Sequence, residues 1–191
     1  MLSLWALPAL AAKGDPAAGQ AKAEACLSCH GEKGISEMAG IPSLAGQQDQ
    51  FLEWQLVFFR SGRRKNDLMS PMAADLSDVD IRNLGAYFAS LPSPATLPPV
   101  HDDNPALHDQ GAKVAEAHHC ATCHTDNFTG KAAAASLAHQ REDYLVKALS
   151  DYRSEARPST GVAAMTEAAA GLSDTDIAAL AHYLATVAVT P

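Results

Sequence analysis

CLSCH at residues 26–30 and CATCH at residues 120–124 share the pattern C-x-x-C-H, and together they contain all four cysteines of the chain. Two cysteines at this spacing match one edge of a porphyrin, to which they can form thioether bonds, and the adjacent histidine can reach the iron. Each segment therefore predicts a covalently attached haem. The predicted attachment residues are Cys26, Cys29, Cys120 and Cys123, and the predicted proximal iron ligands are His30 and His124.

Three other kinds of site contain paired cysteines. A thioredoxin-like motif needs no adjacent histidine and comes with a βαβ pattern, which the sequence lacks. A zinc site would have to join two cysteine pairs separated by 90 residues, far outside finger spacing. Two disulfides are the third alternative. Haem is favoured over all three because it alone explains both the repeated pattern and the two histidines.

The composition indicates a helical protein with few bulky core residues. Hydrophobic residues make up 47% of the 191, but many are alanines, in runs such as residues 132–135 and 168–170. Alanine favours helix and contributes little core volume. The chain is long enough for one large domain or two small ones, each near the lower size limit for an independent core. A buried haem in each half would supply the missing apolar volume.

The net charge of −8, from 22 acidic and 14 basic residues, argues against nucleic acid as a partner. The charge is uneven, with a balance of −2 over residues 13–91 and −6 over residues 101–191. Separately folded halves would present different electrostatic faces to their partners. Two ordinary solvated surfaces are the alternative explanation.

Residues 1–12 are apolar and end in small residues, which is typical of the hydrophobic part and cleavage site of a secretory signal peptide. The usual basic start is missing, as in a truncated signal. No later run approaches the roughly 20 apolar residues that span a bilayer. We therefore expect an exported, soluble protein.

Three helices are predicted in the first half. Asp15 is a suitable N-cap for a short helix that begins at Pro16 and leads into the first C-x-x-C-H motif. A second helix, residues 50–61, carries apolar residues on one face, where core packing is expected. Ser77, with Asp80 three residues later, predicts a capping box at the start of a third helix.

A proline-rich stretch at residues 92–105 predicts a stiff linker between two halves. The halves repeat each other: the matching segments are 43–47 with 136–140, 59–61 with 152–154, and 76–81 with 172–177. We therefore predict an all-α fold of two tandem helical domains, residues 13–91 and 106–191, related by internal duplication.

A basic cluster, formed by Arg60, Arg63, Arg64 and Lys65, surrounds Gly62. Its charges can pair with the carboxylates of a haem or of a partner protein. A plain solvated loop is the alternative that we favour.

The repeat selects the sixth ligand of each iron. Methionine is a soft ligand that raises the potential, although most methionines are core residues. Met165 is the only methionine of the second half and lies seven residues before Leu172, as Met69 lies seven residues before Leu76. Met69 and Met165 are therefore the predicted ligands, and Met72 is assigned to packing.

Two His/Met irons leave no open coordination position, so we predict an electron-transfer protein rather than an enzyme. Bis-histidine ligation is the alternative, but the other histidines lie too close to the motif or lack a counterpart in the first half. They are interpreted as surface residues: His101, His108, His118, His119, His139 and His182.

With these features together, the chain resembles the dihaem cytochromes c of the cytochrome c4 family. The resemblance covers essentially everything after residue 12. It rests on the two C-x-x-C-H motifs, the loop at residues 44–47, Met69 followed by residues 76–78, and the helix end at residues 86–88, all echoed in the second half.

The resemblance implies two class I cytochrome c domains, each with one haem c, packed with their haem edges close together. It implies a periplasmic electron carrier, often loosely attached to the membrane, that takes electrons from respiratory donors such as a quinol-oxidising complex and feeds a terminal oxidase or reductase. A cytochrome subunit of a larger dehydrogenase is the first alternative, and a dihaem peroxidase-like enzyme is the second. The resemblance also implies that Gly19 and Gly111 let the first helix of each domain cross the last near Tyr87 and Tyr183.

The sequence departs from the family pattern in the second half. In such domains the carbonyl of the residue at Pro42 accepts a hydrogen bond from the proximal histidine, but Ala135 stands at the matching position and His139 replaces an expected glycine. Hydrogen bonds to the ligand tune a haem iron. We therefore predict that the two haems differ in potential.

Overall fold

The computed structural model describes residues 13–96, 102–157 and 165–189, and the fold within these ranges is helical. The first half contains α1 (Pro16–Lys22), α2 (Glu24–His30), α3 (Asp49–Arg60), α4 (Met69–Ala74) and α5 (Asp78–Ser90). A 3₁₀ turn at Pro94–Thr96 follows. The second half contains α6 (Pro105–Ala117), α7 (Ala121–His124), α8 (Glu142–Arg153), α9 (Met165–Ala170) and α10 (Asp174–Thr186). The predicted all-α fold is confirmed.

The two halves repeat each other helix by helix, as the sequence predicts. In each half the first helix packs along the last, α1 on α5 and α6 on α10, and these are the most extensive helix contacts of the described chain. The third helix of each half, α3 or α8, packs beside the last one. The internal duplication is therefore visible in the packing as well as in the sequence.

Glycine permits the close approach of the paired helices. A Cβ added at Gly19 would lie 2.0 Å from the Asn83 carbonyl oxygen, and one added at Gly111 would lie 2.1 Å from the Ala179 carbonyl oxygen. Each would also meet the Cβ of a tyrosine, Tyr87 or Tyr183, within 2.7 Å. Because any other side chain would push the helices apart, the predicted crossing is confirmed.

Matching capping boxes start the last helix of each half. The Ser77 hydroxyl accepts from the Asp80 backbone N–H, and the Asp80 carboxylate accepts from the Ser77 backbone N–H. Ser173 and Asp176 repeat the arrangement at the start of α10. Reciprocal bonds of this kind satisfy two backbone donors that the first helical turn leaves unpaired.

Each half has its own apolar core, and the haem motif of that half borders it. In the first half, Leu52, Leu84 and Phe88 are buried and Cys26 packs against them. The larger second core includes Phe128, Leu145, Ile177 and Leu184, with Cys120 and Met165 at its border. Ala95, from the predicted linker, is buried in this second core. The linker is therefore attached to the second half and is more than a spacer.

The structure corrects several predicted boundaries. The C-x-x-C-H motif of the first half lies inside a helix, α2, and a short helix, α4, begins at Met69; neither helix was predicted. The helix predicted at residues 50–61 is Asp49–Arg60. Pro105 is the first residue of α6 and not the last residue of the linker. The predicted signal segment, residues 1–12, lies outside the described residues.

Within the described residues, none of the helices combines the length and the apolar character needed to cross a bilayer.

Candidate haem sites

The proximal histidine of the first half is buried and held by the backbone. His30 is the last residue of α2, its residue is 5% exposed, and its Nδ1 donates to the Pro42 carbonyl oxygen at 2.8 Å. Burial lowers the pKa of His30, although the Pro42 bond partly offsets that effect. The imidazole is therefore neutral at neutral pH, with its proton on Nδ1 and the Nε2 lone pair available for a metal.

The second half reproduces this arrangement in spite of its different sequence. His124 ends α7, is 8% exposed, and donates from Nδ1 to the Ala135 carbonyl oxygen at 2.7 Å. Burial again lowers the pKa of the ring. The replacement of proline by Ala135 thus leaves the hydrogen bond intact because the acceptor is a backbone carbonyl, and the sequence argument that the bond differs between the halves is wrong.

The cysteines have the geometry of attachment residues. All four are free thiols, which removes the disulfide alternative. Cys26 and Cys120 are half-buried at the core borders, and burial is the main cause that raises the pKa of each thiol. A helical turn places both cysteines and the histidine of each motif on one short segment beside apolar side chains. The donor set and its surroundings fit a covalently attached haem.

The structure separates the methionines in the way that the repeat predicts. Met69 and Met165 are each the first residue of a six-residue helix, and both side chains are half-buried. Met38 and Met72 are exposed, at 48% and 47%. The exposure of Met72 argues against its assignment to core packing. Met69 and Met165 thus remain the equivalent pair. Each lies well after the C-x-x-C-H motif of its own half in the sequence.

The interpretation of the remaining histidines as surface residues is only partly correct. His118 and His119 are exposed, and His101 lies outside the described residues. His139 is buried, adopts φ 56°, and places its ring nitrogens 3.0 Å from the Pro94 oxygen and 2.7 Å from the Val187 oxygen. His182, also buried, lies between carboxylates. The His139 ring thus contacts the backbone at Pro94 and Val187, and the His182 ring contacts Asp102 and Glu142. The composition of the chain does not reveal these contacts.

The basic cluster is not a plain solvated loop. Arg60 donates to the Leu76 carbonyl oxygen at 2.7 Å and to the Asp78 carboxylate at 2.6 Å, so it ties α3 to the cap of α5. Arg153 does the same in the second half with Leu172 and Asp174. Arg63 and Lys65 are exposed as predicted.

Arg64 belongs to a buried group that the sequence analysis missed. Its guanidinium stacks over Phe59 at 4.4 Å and donates to the Gln55 side-chain oxygen at 2.7 Å. From the second half, Arg157 stacks over Tyr152 at 4.5 Å and donates to the same Gln55 oxygen at 2.7 Å. Arg157 is 4% exposed. The repeat register, which aligns Arg60 with Arg153, also aligns Arg64 with Arg157 and was the available signal.

No Asp or Glu side chain in the described residues forms an ion pair with this arginine pair, although, against the lowering effect of burial, the Asp151 carboxylate is near enough to help raise the pKa of Arg157. Every Asp and Glu of the chain lies within those described residues. The Tyr144 hydroxyl lies 3.5 Å and 3.3 Å from the two guanidinium groups. Burial raises the pKa of this hydroxyl, but the two positive charges outweigh burial and lower it to about 8. Buried charges are normally paired, so the pair fits an anion supplied from outside the polypeptide.

Comparisons with known proteins agree with this geometry. A family model described as "Cytochrome c" matches residues 108–188, and one described as "Cytochrome C oxidase, cbb3-type, subunit III" matches residues 14–88. A cytochrome c4 from Pseudomonas aeruginosa is 37% identical over 179 residues, which cover 91% of this chain and 89% of that relative. The chain belongs to the cytochrome c4 family. It is therefore an electron-transfer protein with two covalently bound haem c groups, one at each C-x-x-C-H motif.

Two further comparisons match the chain over most of its length. The crystal structure of reduced recombinant cytochrome c4 from Pseudomonas stutzeri superposes with a TM-score of 0.82 at 33% identity, covering 93% of this chain and all of the other. A protein named "Thiosulfate dehydrogenase electron acceptor" from Thiomonas intermedia is 29% identical, over 98% of this chain and 87% of that relative. The partners of a cytochrome c4 are accordingly redox proteins.

Proposed function

We propose that this cytochrome c4 is a periplasmic carrier that passes single electrons from a respiratory donor, such as a quinol-oxidising complex, to a terminal oxidase or reductase. The observation that carries the proposal is the repeated histidine site: a buried, neutral imidazole bonded through Nδ1 to a backbone carbonyl in each half. The bound haem supplies an iron that changes its charge by one electron. The chain has no catalytic role in this proposal.

His30 and Met69 hold the first iron, and His124 and Met165 hold the second. The backbone bond to Nδ1 fixes the orientation of each ring and leaves Nε2 as the nitrogen that would hold the metal. Met69 and Met165 would supply the second protein ligand of each iron, and a thioether there would leave small molecules no open coordination position. The domains are residues 13–91 and 105–191, and the linker between them keeps the two sites on one chain.

Arg64 and Arg157 neutralise the carboxylate side chains of the haems. Guanidinium groups pair with carboxylates in a planar, two-point geometry, and the apolar faces of Phe59 and Tyr152 hold them in place. The absence of a direct ion pair from any Asp or Glu side chain of the described residues supports this assignment.

Ligand substitution tests the proposed coordination. In the oxidised holoprotein, Met69→Ala and Met165→Ala should each convert one of two low-spin haems to a form that binds cyanide, whereas Met72→Ala should leave both low-spin. The measurements are absorption and electron paramagnetic resonance spectra. Cyanide binding by the resting unsubstituted protein would contradict the proposal and favour the peroxidase-like alternative.

A role as the electron-accepting partner of a dehydrogenase is the second candidate, favoured by the name of the Thiomonas relative. Native purification from the periplasmic fraction separates the two. A free protein at the mass of one chain supports the diffusing carrier, and a stable complex with a dehydrogenase supports the subunit.

A further inference from the structure

Two glutamines, one from each half, form hydrogen bonds with the backbone of the opposite half. The Gln140 side chain accepts from the Ser43 backbone N–H at 2.8 Å and donates to the Ser43 carbonyl oxygen at 2.9 Å. Gln47 accepts from the Ser136 backbone N–H at 2.6 Å and donates to the Ser136 carbonyl oxygen at 3.0 Å. All four residues are between 4% and 8% exposed. These bonds are therefore protected from competing water.

Each of these serines, Ser43 and Ser136, directly follows the residue whose carbonyl oxygen accepts a hydrogen bond from a proximal histidine. The carbonyl of Pro42 and the N–H of Ser43 belong to the same peptide unit, which accepts from His30 at its oxygen and donates to Gln140 at its nitrogen. A peptide unit is planar and conjugated, so its two ends move and polarise together. The second half has the same arrangement. The peptide unit between Ala135 and Ser136 accepts from His124 at its oxygen and donates to Gln47 at its nitrogen.

We propose that each glutamine tunes the haem of the other domain through this single peptide unit. A hydrogen bond at the N–H polarises the carbonyl and makes it a stronger acceptor. The stronger acceptor makes the histidine a more basic ligand, which favours the oxidised iron. Gln140 thus lowers the potential of the haem on His30, and Gln47 lowers the potential of the haem on His124. Both glutamines are positioning residues and neither touches a haem ligand.

Other contacts across the same interface do not join these peptide units. Gln48 donates to the Thr129 carbonyl oxygen at 3.0 Å, and the Gly40 backbone N–H donates to Asp143 at 2.8 Å. They contribute to docking without contacting the Pro42–Ser43 or Ala135–Ser136 unit. Gln48, an uncharged residue, therefore provides a matched control for the loss of an interface contact alone.

The test measures both midpoint potentials in the full-length holoprotein. Gln140→Leu should raise the potential of the His30 haem and leave the other unchanged, and Gln47→Leu should do the reverse. Gln48→Leu, which removes an interface hydrogen bond without removing a charge, should change neither. The two waves are assigned by repeating each titration in a Met69→His background, in which the potential of the first haem is lowered.

A second readout is the proton magnetic resonance spectrum, in which each substitution should move the paramagnetically shifted signals of the opposite haem only. Small-angle scattering checks that the halves remain docked. If a Leu variant opens the interface, Gln140→Met and Gln47→Met, which keep the length of the glutamine side chain, supply the same comparison. Equal shifts of both potentials, or a shift confined to the glutamine's own domain, would overturn the proposal.

This inference rests on the proposed ligation of the irons by His30 and His124. Different results would contradict that ligation and the cross-domain tuning. If the unsubstituted protein lacks a low-spin spectrum with histidine ligation, the proposed function fails. If that spectrum is present and the crossed pattern is absent, only the cross-domain tuning fails.

Discussion

At the scale of single residues, the two glycines at the helix crossings, Gly19 and Gly111, meet a plain steric requirement. A Cβ at Gly111 would stand 2.1 Å from backbone, and backbone cannot rotate away as a side chain can. We expect Gly111→Ala to reduce the free energy of unfolding by about 1–3 kcal/mol, the usual cost of overpacking. Denaturant unfolding of the holoprotein measures it. Gly171→Ala is the control, since a Cβ there meets its nearest neighbour at 3.9 Å; an equal loss in both variants would contradict the steric argument.

The arginine pair leads to a prediction about pH. If Arg64 and Arg157 pair with the haem carboxylates as proposed, their guanidinium charges hold those carboxylates ionised in the intact protein. In Arg157→Met the carboxylates should regain an ordinary pKa, near 4–5 for such groups. Protonation at low pH then removes negative charge near the iron, so the midpoint potentials should fall as pH rises through that range. Redox titrations from pH 4 to 8 measure this slope.

Arg63→Met is the matched control for that experiment, because Arg63 is exposed and adjacent to Arg64 in the chain. Its potentials should follow those of the unsubstituted protein. A flat profile in Arg157→Met would contradict the pairing of arginine with haem carboxylates.

Single residues also mark where sequence reasoning reached its limit. The motifs and the Met69–Met165 equivalence follow from spacing, which is a property of the chain alone. The acceptors Pro42 and Ala135 act through backbone oxygen, so their side chains carry no information about the bond. Arg157, Gln55 and Tyr144 acquire their role only when two halves meet, and no pattern within one half encodes that contact.

At the scale of elements, the capping boxes should contribute measurably to both last helices. Ser77→Ala and Ser173→Ala each leave a first-turn N–H without its side-chain acceptor, at a cost of about 1 kcal/mol. Denaturant unfolding checks the value. Ser61→Ala is the control, since its hydroxyl bonds only within the end of α3; an equal effect there would contradict the capping role.

The same caps predict an acid dependence. The hydrogen bond from the Ser77 hydroxyl, with the Ser77 backbone bond, lowers the pKa of Asp80, and Ser173 acts likewise on Asp176. A lowered folded pKa contributes stability that is present above the unfolded value of about 4 and is lost as pH falls through the folded value. The Ser77→Ala variant should therefore lose less stability than the parent on acidification below pH 4. Unfolding curves at pH 3 and pH 5 provide the comparison.

The long amphipathic helices were predictable, whereas among the short ones only α1, marked by its Asp15 cap and Pro16, was predicted. α3, α5 and their counterparts have enough turns for an apolar face to be recognised in the sequence. α2, α4, α7 and α9 have between four and seven residues. Helices of that length are not stable by themselves and form because the surrounding chain holds them.

At the scale of the whole molecule, a histidine joins the linker end to the second half. His182, on α10, faces Asp102 at 3.1 Å and Glu142 at 3.1 Å, and His108 lies 3.5 Å from Asp102. Burial lowers the pKa of His182, but the bonds to the two carboxylates outweigh it and the pKa is raised. A raised folded pKa contributes stability that is complete below the unfolded value of about 6.5 and is lost as pH rises through the folded value.

We therefore expect the free energy of unfolding to decline with rising pH above about 6.5, and His182→Leu to remove that part of the decline. Denaturant unfolding between pH 6 and 9 measures the difference between the two proteins. His118→Leu, an exposed histidine, should follow the parent. A pH profile of His182→Leu identical to that of the parent would contradict the role of the ring.

The glutamine contacts between the halves have the form of an isologous contact, as in a symmetric dimer. Gln47 aligns with Gln140 and Ser43 aligns with Ser136, so each half offers the same surface that it receives. A surface of this kind is self-complementary, and two separate copies of one half could dock through it. The molecule thus has the organisation of a homodimer whose subunits were fused end to end, and the linker converts a concentration-dependent association into a permanent one.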